Sequence, residues 1–127
     1  MTKKEAGIWF KQAKYDLETA KELLANKRFL WAIYTAGQAV EKLLKGVLVK
    51  KGKIPPRTHD LEFLTKEVKK SEKVKIEKKN FLELKNLYNR IRYPLLTNEQ
   101  APFEKIYQKD AEKCLSQAKS IFSKIKN

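Results

Sequence analysis

Two arginines stand beside two tyrosines at a break in the chain, where Tyr88 precedes the segment Arg90-Ile91-Arg92-Tyr93-Pro94. Guanidinium groups bind phosphate through paired hydrogen bonds, and aromatic rings stack on nucleobases. Because Pro94 disfavours helical geometry at Tyr93, a helix is expected to end here. The segment is therefore a candidate site for the phosphate and base of a nucleotide. It equally fits an ordinary helix C-terminus, where cations complement the helix dipole.

His59 is the only histidine in the chain. Histidine exchanges a proton near neutral pH, so it is the side chain best suited to acid–base chemistry. It stands between Thr58 and Asp60, either of which can cap a following helix, so a structural role within its own loop is the alternative. His59 could act together with Arg92 only if the fold brings the two side chains close to each other.

The other residue types that serve catalysis are scarce. The chain has one cysteine, Cys114, and no glycine-rich phosphate loop or Ser-His-Asp set. One histidine and one cysteine do not make a zinc site, so we expect no metal and no cofactor. Cys114 falls on an apolar stripe and is predicted to be a small core residue.

The net charge of +14 is the strongest feature of the composition. Such a charge favours an anionic partner such as RNA, DNA or a nucleotide. However, 25 of the 29 basic residues are lysines, which also fits a general solvated surface. The second predicted helix has a polar strip of Gln38, Glu41, Lys42 and Lys45, in which Glu41 and Lys45 have the four-residue spacing of an exposed ion pair. We include Lys42 and Lys45 among the candidate binding residues.

Apolar residues recur at three- and four-residue steps along most of the chain, which is the spacing of helices and not of strands. Helices are predicted over residues 4–24, 29–50, 76–91 and 104–125, with a short one after Thr58 or Asp60. The segment 29–50 has the widest apolar face, with small residues that allow close packing, so it should lie inside a bundle. We predict one all-α domain over residues 1–127, an up-and-down antiparallel helical bundle of four to five helices.

Three expectations concern the surroundings of this bundle. The apolar face of segment 29–50 is wider than one small bundle should cover, which predicts a homodimer. The sequence has no run of about eighteen apolar residues, so we predict no membrane span. It also begins without the features of a signal peptide, and a cytoplasmic location follows as an expectation.

Four segments, in this order, resemble the HEPN domain family (higher eukaryotes and prokaryotes nucleotide-binding domain). They are WFKQAKYDLETAKELL, YTAGQAVEKLLKGVLVKKG, PPRTHDLEFL and IRYP. The resemblance covers nearly the whole chain and implies a helical bundle that is often dimeric. Small members of this family are commonly encoded beside a minimal nucleotidyltransferase as toxin and antitoxin. The resemblance points to Arg92-Tyr93-Pro94 and Thr58-His59-Asp60 as functional positions.

The chain departs from the ribonucleases of that family at one point. Those enzymes work without metal and use an arginine, four to six variable residues and then a histidine. Arg92 is present, but residues 93–99 contain no histidine, and Arg90 fails in the same way. His59 would have to supply the missing proton-transfer group.

The leading hypothesis is a non-catalytic HEPN domain that binds a nucleotide, RNA or a nucleotidyltransferase partner, in a toxin–antitoxin context. Its binding surface would include Arg90, Arg92 and Tyr93. The first alternative is a metal-independent ribonuclease toxin in which Arg92 and His59 are catalytic. The second is a purely structural helical adaptor, in which the positive charge serves solubility.

Overall fold

The computed structural model describes residues 3–92 and 101–125 of the chain. These ranges contain five α-helices and two short 3₁₀ helices, and no strand occurs within them. The predicted all-α helical bundle is confirmed. The α-helices are α1 (Lys3–Ala25), α2 (Phe29–Lys50), α3 (Leu61–Ser71), α4 (Leu82–Arg92) and α5 (Gln108–Lys124), and the 3₁₀ helices cover Lys78–Asn80 and Pro102–Lys105.

Helix α2 is the central element, because α1, α3, α4 and α5 all pack against it. Ala32, Ala36 and Ala39 are fully buried and allow neighbouring helices to approach its axis closely. A short turn joins α1 to α2, and the two helices pack side by side as an antiparallel hairpin.

The single chain covers α2 almost completely. Its buried residues lie on all sides of the helix and include the charged Glu41 and Lys45. The wide apolar face of α2 therefore does not require a second copy of the chain, although a homodimer stays a prediction. Within the described residues, no helix combines the length and apolar character needed to cross a bilayer.

The last two helices begin later than the apolar spacing predicts. Asn80 Oδ1 accepts the backbone N–H of Glu77 at 2.8 Å, and an Asp110 carboxylate oxygen accepts that of Tyr107 at 2.8 Å. Each polar side chain gives the backbone a partner outside an α-helix, so α4 begins at Leu82 and α5 at Gln108. Tyr107 is exposed, although it stands four residues before the buried Ala111, the spacing of one helix face.

Cys114 is fully buried in α5, as predicted. Burial, together with the charges of Asp110 and Glu83, raises the pKa of its thiol to about 12. A thiol that stays protonated is a poor nucleophile, so Cys114 serves as a packing residue.

Tyr88 of α4 packs directly against Gly37 of α2. The ring of Tyr88 lies directly on this glycine, and a Cβ added there would come within 2.7 Å of Tyr88 Cε1 and closer still to Cγ and Cδ1. No larger residue fits unless the ring moves. The absence of a side chain at Gly37 therefore determines where Tyr88 can lie.

We predict that Gly37→Ala destabilises the protein by about 1–3 kcal/mol, because overpacking a rigid contact outweighs the better helix propensity of alanine. The matched control is Gly7→Ala in α1, where an added Cβ meets nothing within 4 Å. This control should gain up to about 1 kcal/mol. Urea unfolding measures both changes, and equal effects at the two glycines would contradict the close approach.

Candidate functional site

The loop between α2 and α3 holds His59 between two anchored neighbours. Thr58 Oγ1 accepts the backbone N–H of Asp60 at 3.1 Å. Asp60 Oδ1 accepts the backbone N–H groups of Glu62 and Phe63 at 3.0 and 3.1 Å. Asp60 is thus the N-cap of α3, one of the two caps that the sequence offered. These bonds fix the backbone on both sides of His59.

Glu41 of α2 is the centre of a buried hydrogen-bond network. Its Oε1 lies 2.8 Å from His59 Nδ1 and accepts the Tyr88 hydroxyl at 2.8 Å. Its Oε2 accepts Lys45 Nζ at 3.0 Å. The Glu41 side chain is only 6% exposed, so a single carboxylate joins α2, α4 and the α2–α3 loop away from water.

The protonation state of Glu41 follows from these contacts. Burial alone would raise its pKa, but the hydrogen bonds from His59, Tyr88 and Lys45 outweigh burial and lower the pKa below the ordinary value. The pKa of Tyr88 is raised strongly, first by burial and then by the Glu41 charge, so its hydroxyl stays a donor. Both effects keep Glu41 ionised near neutral pH.

An ionised carboxylate can only accept hydrogen bonds, so His59 Nδ1 must carry the proton that it shares with Glu41. This contact fixes the ring orientation and leaves Nε2 as the nitrogen available to a ligand. The His59 side chain is 56% exposed, in contrast to the buried carboxylate that holds it. An oriented and accessible imidazole of this kind is suited to exchanging a proton.

Arg92, at the end of α4, is positioned by Tyr88. Its guanidinium carbon lies 5.0 Å from the centroid of the Tyr88 ring, a cation–π contact. Arg92 Nη2 also lies 3.4 Å from Asn89 Oδ1. Gln38 Nε2 donates to the Tyr88 hydroxyl at 2.8 Å, so this hydroxyl accepts one hydrogen bond and donates another to Glu41.

Two cavities open on this part of the surface, and His59 and Arg92 line both of them. The first, which we call the aromatic cavity, has a volume of about 620 Å³. The second, which we call the polar cavity, has a volume of about 450 Å³. The described walls of the aromatic cavity are Leu30, Trp31, Tyr34, His59, Ile91, Arg92, Pro102 and Phe103. Those of the polar cavity are Arg57, Thr58, His59, Asp60, Asn89 and Arg92.

The structure therefore brings His59 and Arg92 together, which the sequence alone left open. Arg90 is exposed on α4 and is not among the described residues that line either cavity. Tyr93, the third residue of the predicted arginine–tyrosine site, lies outside the described residues.

The two candidate lysines of α2 are engaged in ion pairs. Lys42 Nζ lies 2.6 Å from an Asp16 carboxylate oxygen of α1. Lys45 is buried against Glu41. Neither lysine lines the aromatic or the polar cavity among the described residues.

Sequence reasoning missed Glu41 and Gln38 as parts of the site. Glu41 and Lys45 were interpreted as an exposed ion pair, whereas Tyr88 was interpreted as a base-stacking ring or, equally, as a packing residue. One signal was available: Gln38, Glu41 and Lys45 stand in a helix whose residues are mostly apolar or small. Polar residues on a fully buried helix need internal partners.

The described residues contain no group of three or more histidine, cysteine, aspartate or glutamate side chains that could hold a metal ion. The groups positioned for chemistry are thus an imidazole, a guanidinium, a phenol and a carboxylate. Together they can bind an anion and move a proton.

Three similarities place this architecture among known proteins. The model of the HEPN domain family matches residues 6–127. A protein of Methanocaldococcus jannaschii named "Putative toxin MJ1304" is 32% identical over 98% of this chain and 88% of its own length. The crystal structure of TT1696 from Thermus thermophilus superposes with a TM-score of 0.79 at 26% identity, covering 93% of each chain.

A further structure, ST0689, described as an archaeal HEPN homologue, superposes with a TM-score of 0.70 at 28% identity. It is matched over 93% of this chain and 92% of its own. The family model covers nearly every residue of this helical bundle. The chain belongs to the HEPN family.

We predict that Glu41→Gln destabilises the protein by about 3 kcal/mol, because it leaves Lys45 buried without a counter-charge. The matched control is Glu18→Gln, which removes the carboxylate of an exposed pair with Lys21 at 2.8 Å. The control should change stability by less than about 1 kcal/mol. Urea unfolding compares the two, and similar small losses would show that the Glu41 network is not stabilising.

The difference in stability between the wild type and Glu41→Gln should depend on pH. The pKa of Glu41 is lower in the folded protein than its ordinary value of 4.5, so ionisation of Glu41 favours folding. This contribution is complete above pH 4.5 and is lost as the pH falls through the lower folded-state pKa. The stability gap between the wild type and Glu41→Gln should therefore be full at about pH 7 and narrow at about pH 3.

Proposed function

We propose that this HEPN domain binds RNA or a nucleotide by its phosphate, at the wall shared by the aromatic and polar cavities. The observation that carries the proposal is that His59 and Arg92 line both cavities. A guanidinium offers paired donors to phosphate oxygens, and the imidazole Nε2 offers a further polar contact.

The charge around the polar cavity supports an anionic ligand. Arg57 lines this cavity with Arg92, so two of the four arginines of the chain meet there. Asp60, the acidic residue in the described wall, has its Oδ1 occupied by the first backbone N–H groups of α3. The charge of the described cavity wall is therefore positive. The protein as a whole also carries a net charge of +14, which attracts anions.

Cleavage of the bound RNA is a second candidate function, and the contact between Glu41 and His59 favours it. His59 Nε2 would take the proton of a ribose 2′-hydroxyl, and the 2′-oxygen would then attack the adjacent phosphorus. The bond from phosphorus to the 5′-oxygen breaks, that oxygen takes a proton from water, and the hydroxide left behind takes the proton from the His59 imidazolium. The products are a 2′,3′-cyclic phosphate and a 5′-hydroxyl, and Arg92 would stabilise the charge that develops on the phosphate.

A toxin–antitoxin context with a nucleotidyltransferase partner is part of the same proposal. It is supported by the name of the M. jannaschii relative, which calls that protein a toxin, and by what the family resemblance implies. A cytoplasmic location is proposed with it, since RNA and a nucleotide-using partner are found there.

We predict that Arg92→Ala weakens binding of end-labelled RNA at least tenfold, because it removes the charged contact to phosphate. The matched control is Arg90→Ala, two residues away on the same helix but exposed and outside both cavities. This control should change RNA affinity less than about threefold, because Arg90 would act on RNA only through long-range charge attraction. A gel shift at several salt concentrations measures both, and equal losses would contradict a specific site at Arg92.

The same gel, run with a chelator present, separates binding from cleavage. Discrete products that disappear in His59→Ala and Arg92→Ala, but persist in Arg90→Ala, would establish the ribonuclease. Intact RNA that is shifted by the wild type would restrict the function to binding for the RNA tested. RNA that is neither shifted nor cut at moderate salt would contradict both RNA binding and RNA cleavage. The hypothesis of a structural helical adaptor would then remain.

We also predict a homodimer, as the family resemblance implies. Sedimentation equilibrium at micromolar concentration should then give a mass about twice the 14.9 kDa of one chain. A mass of one chain would contradict it. Because α2 is covered within the single chain, the dimer contact is expected to lie elsewhere on the bundle.

A further inference from the structure

The aromatic cavity contains two large side chains that phosphate binding does not use. Trp31 is 57% exposed at the start of α2, and Phe103 is 66% exposed in the 3₁₀ helix Pro102–Lys105. Both line the cavity of about 620 Å³. Exposed aromatic residues that meet in one cavity are typical of binding sites, whereas scattered ones need no explanation.

A chain of aromatic contacts holds Trp31 in a defined orientation. The Trp31 and Tyr34 ring centroids lie 5.6 Å apart with an interplanar angle of 86°. The Tyr34 and Tyr88 centroids lie 5.8 Å apart, and Arg92 lies over the Tyr88 ring. The indole is therefore connected through packed rings to the guanidinium, and it remains more than half exposed. An immobilised, uncovered aromatic side chain can stack on a flat ligand at little entropic cost.

The cavity combines two kinds of wall. Leu30, Trp31, Ile91 and Phe103 are apolar, whereas His59 and Arg92 stand where this cavity meets the polar one. A matching ligand therefore has a planar, weakly polar body joined through a short linker to an anionic group. A volume of about 620 Å³ falls within the range of small-molecule sites, roughly 300–1,000 Å³.

We propose that the aromatic cavity holds one unpaired base of an RNA strand, stacked on Trp31 and Phe103, while the neighbouring phosphate lies at Arg92 and His59. This inference rests on the proposed function and names its substrate class as single-stranded RNA. Bases within a duplex are stacked on each other and cannot enter such a cavity, but a splayed base in a loop or single strand can. Duplex RNA would contact this site only through its phosphates.

The first test uses tryptophan fluorescence. The chain has two tryptophans, Trp9 and Trp31, so Trp9→Phe leaves Trp31 as the only indole. A short single-stranded RNA should quench this indole because a base stacks on it. A duplex of the same sequence should quench it much less. Equal quenching by the two RNAs would overturn the inference.

The second test compares affinities for the same single-stranded RNA. Trp31→Ala and Phe103→Ala should each weaken binding about tenfold, whereas Trp31→Phe, which keeps an aromatic ring, should retain most of the affinity. The matched control is Tyr15→Ala in α1, a 70% exposed aromatic residue outside both cavities, which should bind as the wild type does. An oligonucleotide that lacks bases should bind the wild type and Trp31→Ala equally.

The outcomes separate this inference from the proposed function. If Arg92→Ala loses affinity while Trp31→Ala and Phe103→Ala bind normally, the phosphate site stands and the base site is overturned. If the wild type binds no RNA, both are overturned. If Trp31→Ala instead converts a dimer to a monomer in sedimentation, a second copy of the chain covers the cavity and the base site is overturned. Circular dichroism checks that each variant is folded. If Trp31→Ala does not fold, the RNA affinity of Trp31→Phe still tests the inference, because a large loss of affinity in that variant would contradict stacking on an aromatic ring.

Discussion

The buried charge of Glu41 is the constraint on which the rest of this end of the bundle depends. A carboxylate removed from water is very costly unless donors surround it. Here the donors come from three places: Lys45 on the same helix, Tyr88 on α4 and His59 on the α2–α3 loop. Satisfying Glu41 therefore fixes the packing of α4 on α2 and the orientation of the imidazole at the same time. The same hydrogen bonds to Glu41 therefore stabilise the bundle and orient the His59 imidazole.

The helices were predictable and the site was predictable only in part, for separate physical reasons. Helical periodicity is local, so it located α1 and α2 closely and identified Asp60 as a possible cap of α3. It could not detect that Asn80 delays the start of α4, because that competition depends on a side-chain hydrogen bond.

The pairing of His59 with Glu41 depends on how α3 and its loop fold back on α2, and no spacing rule gives that. The spacing of Glu41 and Lys45 predicted their ion pair correctly but could not show that it is buried. For the same reason, Lys45 was predicted as a candidate binding residue although its charge is already used inside the bundle.

The net positive charge is also less uniform than the composition suggests. Glu62 alone lies within 3.6 Å of Lys66, 3.5 Å of Lys78 and 2.9 Å of Lys85. The hydrogen bond from Lys85 is the main cause that lowers the pKa of Glu62, and the three ammonium charges add to it. One carboxylate thus gathers lysines from three segments and leaves that region positive. Part of the lysine charge is therefore used in ion pairs between helices. The arginines that line the cavities are the more specific indication of an anion-binding site.

The bond between Tyr88 and Glu41 also bears on the order in which the protein forms. It joins residues 47 positions apart, whereas the α1–α2 hairpin is built from neighbouring segments. Contacts that are distant in sequence require larger loops to close and tend to form late in folding. A chain emerging from the ribosome can therefore complete its hairpin before the imidazole and guanidinium have been brought together. The end of the bundle that holds His59 and Arg92 is complete only after α4 has been synthesised and has docked.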